Sequence, residues 1–335
     1  MQLSCSCDPA LRRLAMWALT YRCTLRCTYC YLATPHDNVA LTEREAAPDI
    51  VWAIARSLAS PHNWRPDAVW LTGGEPTLHS QLFSLIEMFE TAGVMTIVTT
   101  AGVLNEPTTR SLMEARPRGI MVSLDVASPA DNDVLRGGGD RVLRTIEDIA
   151  RRKDPYTTLG VSVVVTNANV RRLDELCHAL HSRGVDYLSL NPLYDYCSST
   201  RALAPRGPVA EAVEHSVAVA SSLGLQLPSQ RYLRILTAHL AGARPEFAAC
   251  PAAHEYAFIA PWGAVYPCSA EFWHSHETML NARSAANGDF RWLLVDLQRR
   301  LGGATFSTQS NCFSARCVGC WKLYYDSVFT RHLTI

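Results

Sequence analysis

The sequence of 335 residues predicts an α/β fold built on a parallel β-sheet. Two observations support this fold class. Short apolar runs alternate with segments of helical periodicity, and this unit of one strand and one helix occurs six times. Strands that read as continuous apolar runs are typical of a parallel sheet buried on both faces. Six units are too few to close an eight-stranded barrel.

The predicted strands follow one another at regular intervals. They are Leu14–Leu19, Ala68–Thr72, Met95–Thr100, Gly119–Asp125, Leu159–Val165 and Tyr187–Pro192. Between them, apolar residues three or four positions apart mark helix faces. These faces lie within Ile50–Leu58, Leu82–Phe89, Val142–Ile149, Leu173–Leu180 and Val209–Leu223.

Capping residues predict where two helices begin. Thr42 and Glu45 have the spacing of a capping box, which would start the first helix and leave Pro48 to distort its first turns. Asn105 and Pro107 open another helix after the third strand.

Cysteines at positions 23, 27 and 30 follow the first strand, in a loop before the next helix. Thiolates so close together can hold three corners of a four-iron cluster, and no fourth cysteine lies nearby in the sequence. One iron would then remain open to a ligand from outside the protein. A zinc site, or cysteines that merely pack in the core, are the alternatives.

Polar residues follow the ends of later strands. They are Gly73-Gly74-Glu75-Pro76, Ser123 and Asp125, Arg136, and Asn191. Glycines let backbone approach a ligand, and a carboxylate accepts hydrogen bonds from a cationic amino group. The alternatives are a strand-ending turn, an arginine on the surface and an asparagine that caps a strand.

The C-x3-C-x2-C spacing, with Tyr29 before the third cysteine, resembles the signature of the radical S-adenosylmethionine (SAM) superfamily. Gly73-Gly74-Glu75-Pro76 resembles that family's GGEP motif. The resemblance implies a partial (β/α)6 TIM-like barrel, with its chemistry at the carboxyl ends of the strands. Thr99–Gly102 departs from the family's Thr-Asn-Gly pattern, so the resemblance supplies no asparagine contact there.

The resemblance also implies which residues surround the cofactors. Cys23, Cys27 and Cys30 would hold a [4Fe-4S] cluster. The residues that would bind SAM are Tyr29 of the cysteine motif and Gly73, Gly74, Glu75 and Pro76 of the GGEP motif, with Glu75 at the amino group of SAM. The others are Ser123 and Asp125 near its ribose, Asn191 near its adenosine, and Arg136 at its carboxylate.

A second group of cysteines lies towards the C-terminus. A β-hairpin is predicted around Trp262-Gly263, from Glu255–Ala260 and Ala264–Pro267. The spacing of the flanking cysteines resembles the twitch domain, a shorter relative of the SPASM domain. It implies a barrel at 1–225 and a twitch-like domain at 226–335. An auxiliary [4Fe-4S] cluster would be held by Cys250, Cys268, Cys317 and Cys320, with a zinc site of four thiolates as the alternative.

The resemblance implies that one electron, from a donor such as flavodoxin or ferredoxin, cleaves SAM to a 5′-deoxyadenosyl radical that abstracts hydrogen from the substrate. Cys312, which the auxiliary cluster leaves spare, and Cys197 are then candidates to return a hydrogen atom, as in an epimerase. Asp195 and Glu271 are candidate bases for the alternative of a dehydrogenase.

The single auxiliary cluster and the compact C-terminal region resemble the aminocyclitol and aminoglycoside dehydrogenases and epimerases of this superfamily. This resemblance implies an aminoglycoside or aminocyclitol substrate, attacked at a carbinol C–H bond in antibiotic biosynthesis. We see no room for a leader-binding domain before Cys23. Maturation of a ribosomal peptide, by epimerisation or cross-linking, is the first alternative. A non-enzymatic iron–sulfur or zinc protein is the second.

Composition limits the other partners. The formal net charge is zero, so no basic excess is available to neutralise nucleic-acid phosphates. No apolar run has the length of a membrane helix, and the N-terminus lacks a signal-peptide pattern. Twelve cysteines then favour metal ligands in a reducing cytoplasm over disulfides.

Overall fold

The computed structural model of the protein describes residues 13–30, 45–193, 202–205, 207, 209–242, 255–266, 269 and 281–288. Its strands are β1 (Leu14–Thr20), β2 (Ala68–Gly73), β3 (Met95–Thr100), β4 (Gly119–Ser123), β5 (Thr158–Val165), β6 (Tyr187–Pro192), β7 (Tyr256–Ile259) and β8 (Val265–Tyr266). The six strands predicted between positions 14 and 192 are all present. They agree closely because each is a continuous apolar run.

These strands form one sheet in the order β6-β5-β4-β3-β2-β1-β7-β8. Neighbours from β6 to β7 are parallel, and β8 is antiparallel to β7. Six of the strands therefore lie in chain order, as successive right-handed strand–helix units arrange them. The parallel α/β sheet is confirmed.

The helices are α1 (Pro48–Ala59), α2 (Leu82–Thr91), α3 (Glu106–Glu114), α4 (Pro129–Leu135), α5 (Gly139–Arg152), α6 (Leu173–His181), α7 (Val209–Ser222), α8 (Gln230–Leu240) and α9 (Ala282–Ala286). Asn105 caps α3 as predicted and accepts a hydrogen bond from Thr108 N. The sequence prediction missed α4, α8 and α9. Their caps Ser128, Ser229 and Asn281 were readable signals, since each accepts a backbone N–H of the first turn.

The predicted capping box is wrong. Helix α1 begins at Pro48, three residues beyond Glu45, and its N-cap Ala47 makes no side-chain hydrogen bond. Pro48 does not distort this helix, because a first-turn residue has no intrahelical use for its N–H. Thr42 lies outside the described residues. The Glu45 carboxylate instead accepts hydrogen bonds from Thr20 and Arg22 at the end of β1.

The two faces of the sheet have different compositions. A Cβ on Gly102 would contact Val122 and Val142, so Val122 points towards α5. Side chains alternate along a strand, so Met121 and Ser123 point the other way. We call this second side the inner face. By strand register it comprises Leu14, Met16 and Ala18 of β1, Ala68, Trp70 and Thr72 of β2, Met95, Ile97 and Thr99 of β3, Gly119, Met121 and Ser123 of β4, Thr158, Gly160, Ser162 and Val164 of β5, and Tyr187, Ser189 and Asn191 of β6.

The predicted C-terminal hairpin is present and extends the sheet. Strand β7 pairs along β1, with Leu14 opposite Tyr256 and Trp17 opposite Ile259. Ala46 N donates to Pro261 O at 2.8 Å, and the hairpin's Trp262 ring meets Tyr21 edge-on at 6.2 Å. The hairpin thus contacts the chain at Tyr21, before the three cysteines, and at Ala46, after them. The predicted boundary at residue 225 stays a prediction.

Among the described helices, none combines the length and the apolar composition needed to cross a membrane.

The packing of β2 predicts the effect of one core substitution. Leu71 is fully buried on the helix-facing side, so Leu71→Ala should lower the free energy of unfolding by about 2–5 kcal/mol in urea titrations. Leu78→Ala is the matched control, because the Leu78 side chain is exposed and should cost less than about 0.5 kcal/mol. Equal losses for both variants would contradict the described core.

Candidate active site

The cysteine loop, Cys23–Cys30, follows the carboxyl end of β1 and carries three thiols. Cys23, Cys27 and Cys30 are free and half-buried. Thr28 N donates to Leu135 O at 2.9 Å, which fastens the loop to the end of α4. Leu25 N donates to the Cys23 sulfur at 3.4 Å. A backbone donor of this kind stabilises a thiolate.

The loop carries the three thiols that the sequence predicts as ligands of an iron–sulfur cluster. Burial raises the pKa of Cys23 and of Cys27, and the neighbouring Cys30 raises both further. These thiols are thus neutral in the metal-free chain, and a bound metal reverses that preference. In the described ranges, no group of His, Cys, Asp and Glu side chains converges on a single-ion site.

The GGEP turn lies directly against the start of this loop. Gly74 N donates to Thr20 O at 2.7 Å, and Glu75 N donates to Arg22 O at 2.8 Å. A Cβ on Gly73 would lie 2.2 Å from Thr20 O, and one on Gly74 would lie 2.3 Å from Arg22 O. Both positions therefore require glycine, because the backbone of the turn lies too close to the backbone of Thr20 to Arg22 for a Cβ atom to fit. The sequence analysis explained them by the approach of a ligand or by a strand-ending turn, and it did not predict this packing against the end of β1.

Glu75 is buried, with 4% of its surface exposed. One carboxylate oxygen accepts from Thr77 N at 3.1 Å and Thr77 Oγ1 at 2.7 Å. The other accepts from Ala101 N at 2.7 Å, and the Thr100 hydroxyl lies within 3.0 Å of both. Glu75 therefore joins the GGEP turn to the end of β3. Its contact with the amino group of SAM stays a prediction.

A second buried group joins the cysteine loop to the end of β4. The Tyr29 hydroxyl donates to Asp125 Oδ2 and accepts from Arg136 Nη1 at 2.5 Å. Burial raises the pKa of Tyr29 well above its ordinary value, so the phenol stays protonated. Asp125 is fully buried, and its other oxygen accepts from Val164 N at 2.8 Å. Both carboxylate oxygens thus bind protein groups, and the predicted contact of Asp125 with the SAM ribose stays a prediction.

Arg136 is not the surface arginine that the sequence allowed as an alternative. Only 11% of its side chain is exposed, and the guanidinium lies over the Tyr29 ring, 5.6 Å from the centroid. Its Nε has no hydrogen-bond partner among the described residues. A buried guanidinium with an unused donor fits a carboxylate ligand.

Asn191 also has an unused polar atom. Its amide nitrogen donates to Ser162 Oγ and Ser189 Oγ, each at 3.0 Å, and to Val163 O. Its Oδ1 is buried without a hydrogen-bond partner in the described part of the chain. This oxygen can accept a hydrogen bond from a ligand such as adenosine. Ser123 lies on the same face of the sheet, at the level of Ser162.

Several positioning residues were missed by sequence reasoning. Arg22, just before Cys23, donates to Glu45 and also to Leu78 O at 2.9 Å. These contacts connect the residues on either side of the three cysteines to the segment that follows the GGEP turn. Asn169 donates to Asp125 O and Val164 O, and Asn132 accepts from Asp125 N. Their partners are distant in sequence or belong to the backbone, so no motif reveals them.

The remaining predicted site residues lie outside the described residues. They are Cys312, Cys197, Asp195, Glu271, Cys250, Cys268, Cys317 and Cys320. Their roles stay predictions.

Comparisons with known proteins relate this chain to one family and to several solved structures. Residues 17–180 match the sequence profile of the family described as Radical SAM superfamily. The matched segment contains the cysteine loop, the GGEP turn, Asp125 and Arg136. Mycofactocin maturase MftC of Mycolicibacterium smegmatis is 26% identical over an alignment that covers 85% of this chain and 71% of the relative.

Solved structures share the fold. Streptococcus suis SuiB bound to S-adenosylmethionine has a TM-score of 0.68 at 19% identity, covering 94% of this chain and 72% of SuiB. SuiB bound to its precursor peptide SuiA has a TM-score of 0.67 at 18% identity, covering 95% and 72%. AnSMEcpe with bound AdoMet has a TM-score of 0.61 at 14% identity, covering 83% and 80%.

The close approach at Gly74 predicts a defect in cluster assembly. Gly74→Ala places a methyl group against the carbonyls of Arg22 and Tyr21, at 2.3 and 2.7 Å, where no flexible side chain can yield. We expect a loss of at least about 1–3 kcal/mol in stability and a lower iron content after anaerobic reconstitution.

Gly224→Ala is the control for this substitution. It adopts a positive φ of 81° but meets no atom within 4 Å, so it should cost about 1–2 kcal/mol and leave the iron content unchanged. A normal iron content in Gly74→Ala would show that the close approach of Gly74 to Tyr21 and Arg22 does not position the cysteine loop.

The contacts of Glu45 predict how stability depends on pH. Burial alone would raise the pKa of Glu45, but hydrogen bonds from Arg22 and Thr20 hold it below its ordinary value of 4.5. A lowered folded-state pKa stabilises the fold above the unfolded-state pKa, and this contribution disappears as pH falls through the folded-state value. The difference in unfolding free energy between wild type and Glu45→Gln should therefore shrink below about pH 4.5.

Urea titrations between about pH 7 and about pH 3 measure this difference. Glu214→Gln, a matched substitution on the exposed side of α7, should show a smaller dependence on pH. A constant gap between wild type and Glu45→Gln would show that the carboxylate charge is not what Arg22 and Thr20 bind.

Proposed function

We propose that the chain is a radical SAM enzyme that removes hydrogen from a C–H bond of a peptide substrate, since residues 17–180 match the sequence profile of that superfamily. The observation that carries this proposal is the arrangement of the cysteine loop. Its half-buried thiols lie beside a buried arginine with an unused donor and beside the GGEP turn. This arrangement suits a cluster with one open iron and a ligand that carries a carboxylate and an amino group.

Each part of the site has a task in this proposal. When bound, the [4Fe-4S] cluster and SAM together supply hydrogen-atom abstraction from an unactivated C–H bond. Cys23, Cys27 and Cys30 hold the cluster. Arg136 pairs with the carboxylate of SAM, and Tyr29 and Asp125 orient the guanidinium through their hydrogen bonds.

A peptide substrate has better support than an aminoglycoside, which the sequence favoured. The relative that aligns over 85% of this chain is described as a maturase, and a structure of the same fold was solved with a precursor peptide bound. No relative described above acts on an amino sugar by its description. The peptide, given first as an alternative, therefore replaces the aminocyclitol as the proposed substrate.

The finer predictions belong to the same proposal. They are an auxiliary [4Fe-4S] cluster on Cys250, Cys268, Cys317 and Cys320 in a twitch-like domain, hydrogen return by Cys312 or Cys197, and a base at Asp195. A flavodoxin or ferredoxin would supply the electron, and the enzyme would work in the cytoplasm. Epimerisation requires the returned hydrogen atom, whereas cross-linking does not.

Anaerobic reconstitution with SAM and dithionite tests the chemistry. The holoenzyme should form 5′-deoxyadenosine, detected by mass spectrometry. Cys27→Ser should lower that rate by more than about 100-fold, since loss of even an outer partner of a metal ligand costs about 10–100-fold. Cys177→Ser, at a buried cysteine of α6, is the matched control and should retain the rate. Wild type that forms no 5′-deoxyadenosine would overturn the proposal.

Substrate class is tested with two kinds of probe. Synthetic peptides encoded beside the gene should accelerate 5′-deoxyadenosine formation and change mass or stereochemistry. 2-Deoxy-scyllo-inosamine should do neither, and the opposite pattern would favour the aminocyclitol. An iron content of about eight per chain would support the auxiliary cluster, and about four would exclude it.

A further inference from the structure

Asn132, in the middle of α4, binds both ends of one segment of the chain. Its Oδ1 accepts a hydrogen bond from Asp125 N at 3.2 Å, and its Nδ2 donates to Gly137 O at 3.3 Å. The side chain is fully buried. A single carboxamide therefore joins the residue after β4 to the turn that follows α4.

Arg136 lies within the segment that Asn132 closes. Arg136 N donates to Asn132 O at 2.8 Å, and Gly137 N donates to the same oxygen at 3.1 Å. The Arg136 guanidinium lies 3.5 Å from Asp125 Oδ2. Asn132 thus fixes the backbone that carries the guanidinium and also the backbone that carries the carboxylate paired with it.

The turn after Arg136 is one that side chains of its own cannot hold. Three glycines follow Arg136, and Gly137 and Gly138 have positive φ values of 93° and 80°. Glycine loses more conformational freedom on folding than any other residue, so this turn is costly to order. The hydrogen bond from Asn132 to Gly137 O offsets part of that cost and favours one conformation of the turn.

The same turn lies beside the cysteine loop. Thr28 N donates to Leu135 O at 2.9 Å, and Cys27 Sγ lies 3.9 Å from Arg136 O. A displacement of the turn would therefore move the guanidinium relative to the thiol of a predicted cluster ligand. The contacts of Asn132 oppose such a displacement.

We propose that Asn132 is a positioning residue for the carboxylate of SAM, and that it acts by holding Arg136 in place. Both polar atoms of its side chain bind backbone groups, so its effect on the cofactor passes through Arg136. This inference rests on the proposed function, in which Arg136 pairs with that carboxylate.

Equilibrium dialysis against two radiolabelled ligands tests this role without turnover. The ligands are SAM and decarboxylated SAM, which keeps the amino group but lacks the carboxylate. In the reconstituted enzyme, Asn132→Ala should weaken SAM binding by about 10-fold, because a displaced guanidinium loses its hydrogen bonds to a charged group. The affinity for decarboxylated SAM should change by less than about 2-fold, because that ligand has no carboxylate for Arg136 to bind.

A double-mutant cycle with Arg136→Gln tests whether Asn132 acts through the arginine. In the Arg136→Gln protein, Asn132→Ala should cause no further loss of SAM affinity, since residues that serve one interaction are not additive. The iron content, and the electron paramagnetic resonance spectrum of the reduced cluster without SAM, should match wild type in Asn132→Ala. Asn132→Ser, whose hydroxyl can replace at most one of the two contacts, repeats the measurement with a smaller disturbance.

Asn63→Ala is the matched control, because the Asn63 amide also makes two hydrogen bonds, to O and Oγ of Ser57. It should leave the affinity for both ligands unchanged. An equal loss for both ligands, an additive loss in the double variant, or a low iron content in both Asn132 variants would each overturn the inference. Selective loss of SAM binding in Asn132→Ala, together with a wild type that forms no 5′-deoxyadenosine, would count against the proposed function alone.

Discussion

The contact between the GGEP turn and the end of β1 is the constraint on which the candidate site depends. Two backbone hydrogen bonds join the turn to Thr20 and Arg22, at a distance that leaves no space for a Cβ at Gly73 or Gly74. Cys23 follows within one residue of this contact. The position of the first cysteine is therefore set by a neighbouring strand end, and the glycines serve the protein's own packing whether or not they also meet a ligand.

The charged side chains around this contact are hydrogen-bonded to other groups of the protein. Glu75 binds the end of β3, Asp125 binds Tyr29 and Val164, and Arg22 binds Glu45. Each pair connects segments that are far apart in the chain. For the buried Glu75 and Asp125, such interactions offset the cost of burying a charge. Two of the buried polar atoms that have no hydrogen-bond partner among the described residues are Arg136 Nε and Asn191 Oδ1, and both are available to bind a ligand.

Local sequence patterns predicted the parts of the fold that local physics determines. The continuous apolar runs gave the strands β1 to β6, and Asn105 gave the start of α3, because burial and capping act within a few residues. The same logic failed at Glu45, whose spacing from Thr42 suggests a cap. Its partner Thr20 lies 25 residues away, and only the folded chain brings them together.

The candidate site was predictable to a similar extent. The cysteines and the GGEP turn were recognised as motifs. The burial of Arg136 and the hydrogen bonds that occupy both carboxylate oxygens of Glu75 depend on tertiary contacts. The pairing of β7 with β1 joins positions about 240 residues apart, which no periodicity encodes.

The pairing of β7 with β1 also bears on how such a protein can change over evolution. Strand β1 leads into the cysteine loop, and β7 covers the side of β1 that β2 leaves open. A recombination event that replaced the C-terminal region at the end of β6 would remove this strand and expose the backbone of β1 for pairing with other chains. Exchange of C-terminal regions between relatives should therefore keep the hairpin together with strands β1 to β6 and vary only the residues beyond β8. The β7–β8 hairpin should therefore be inherited together with β1 and the cysteine loop.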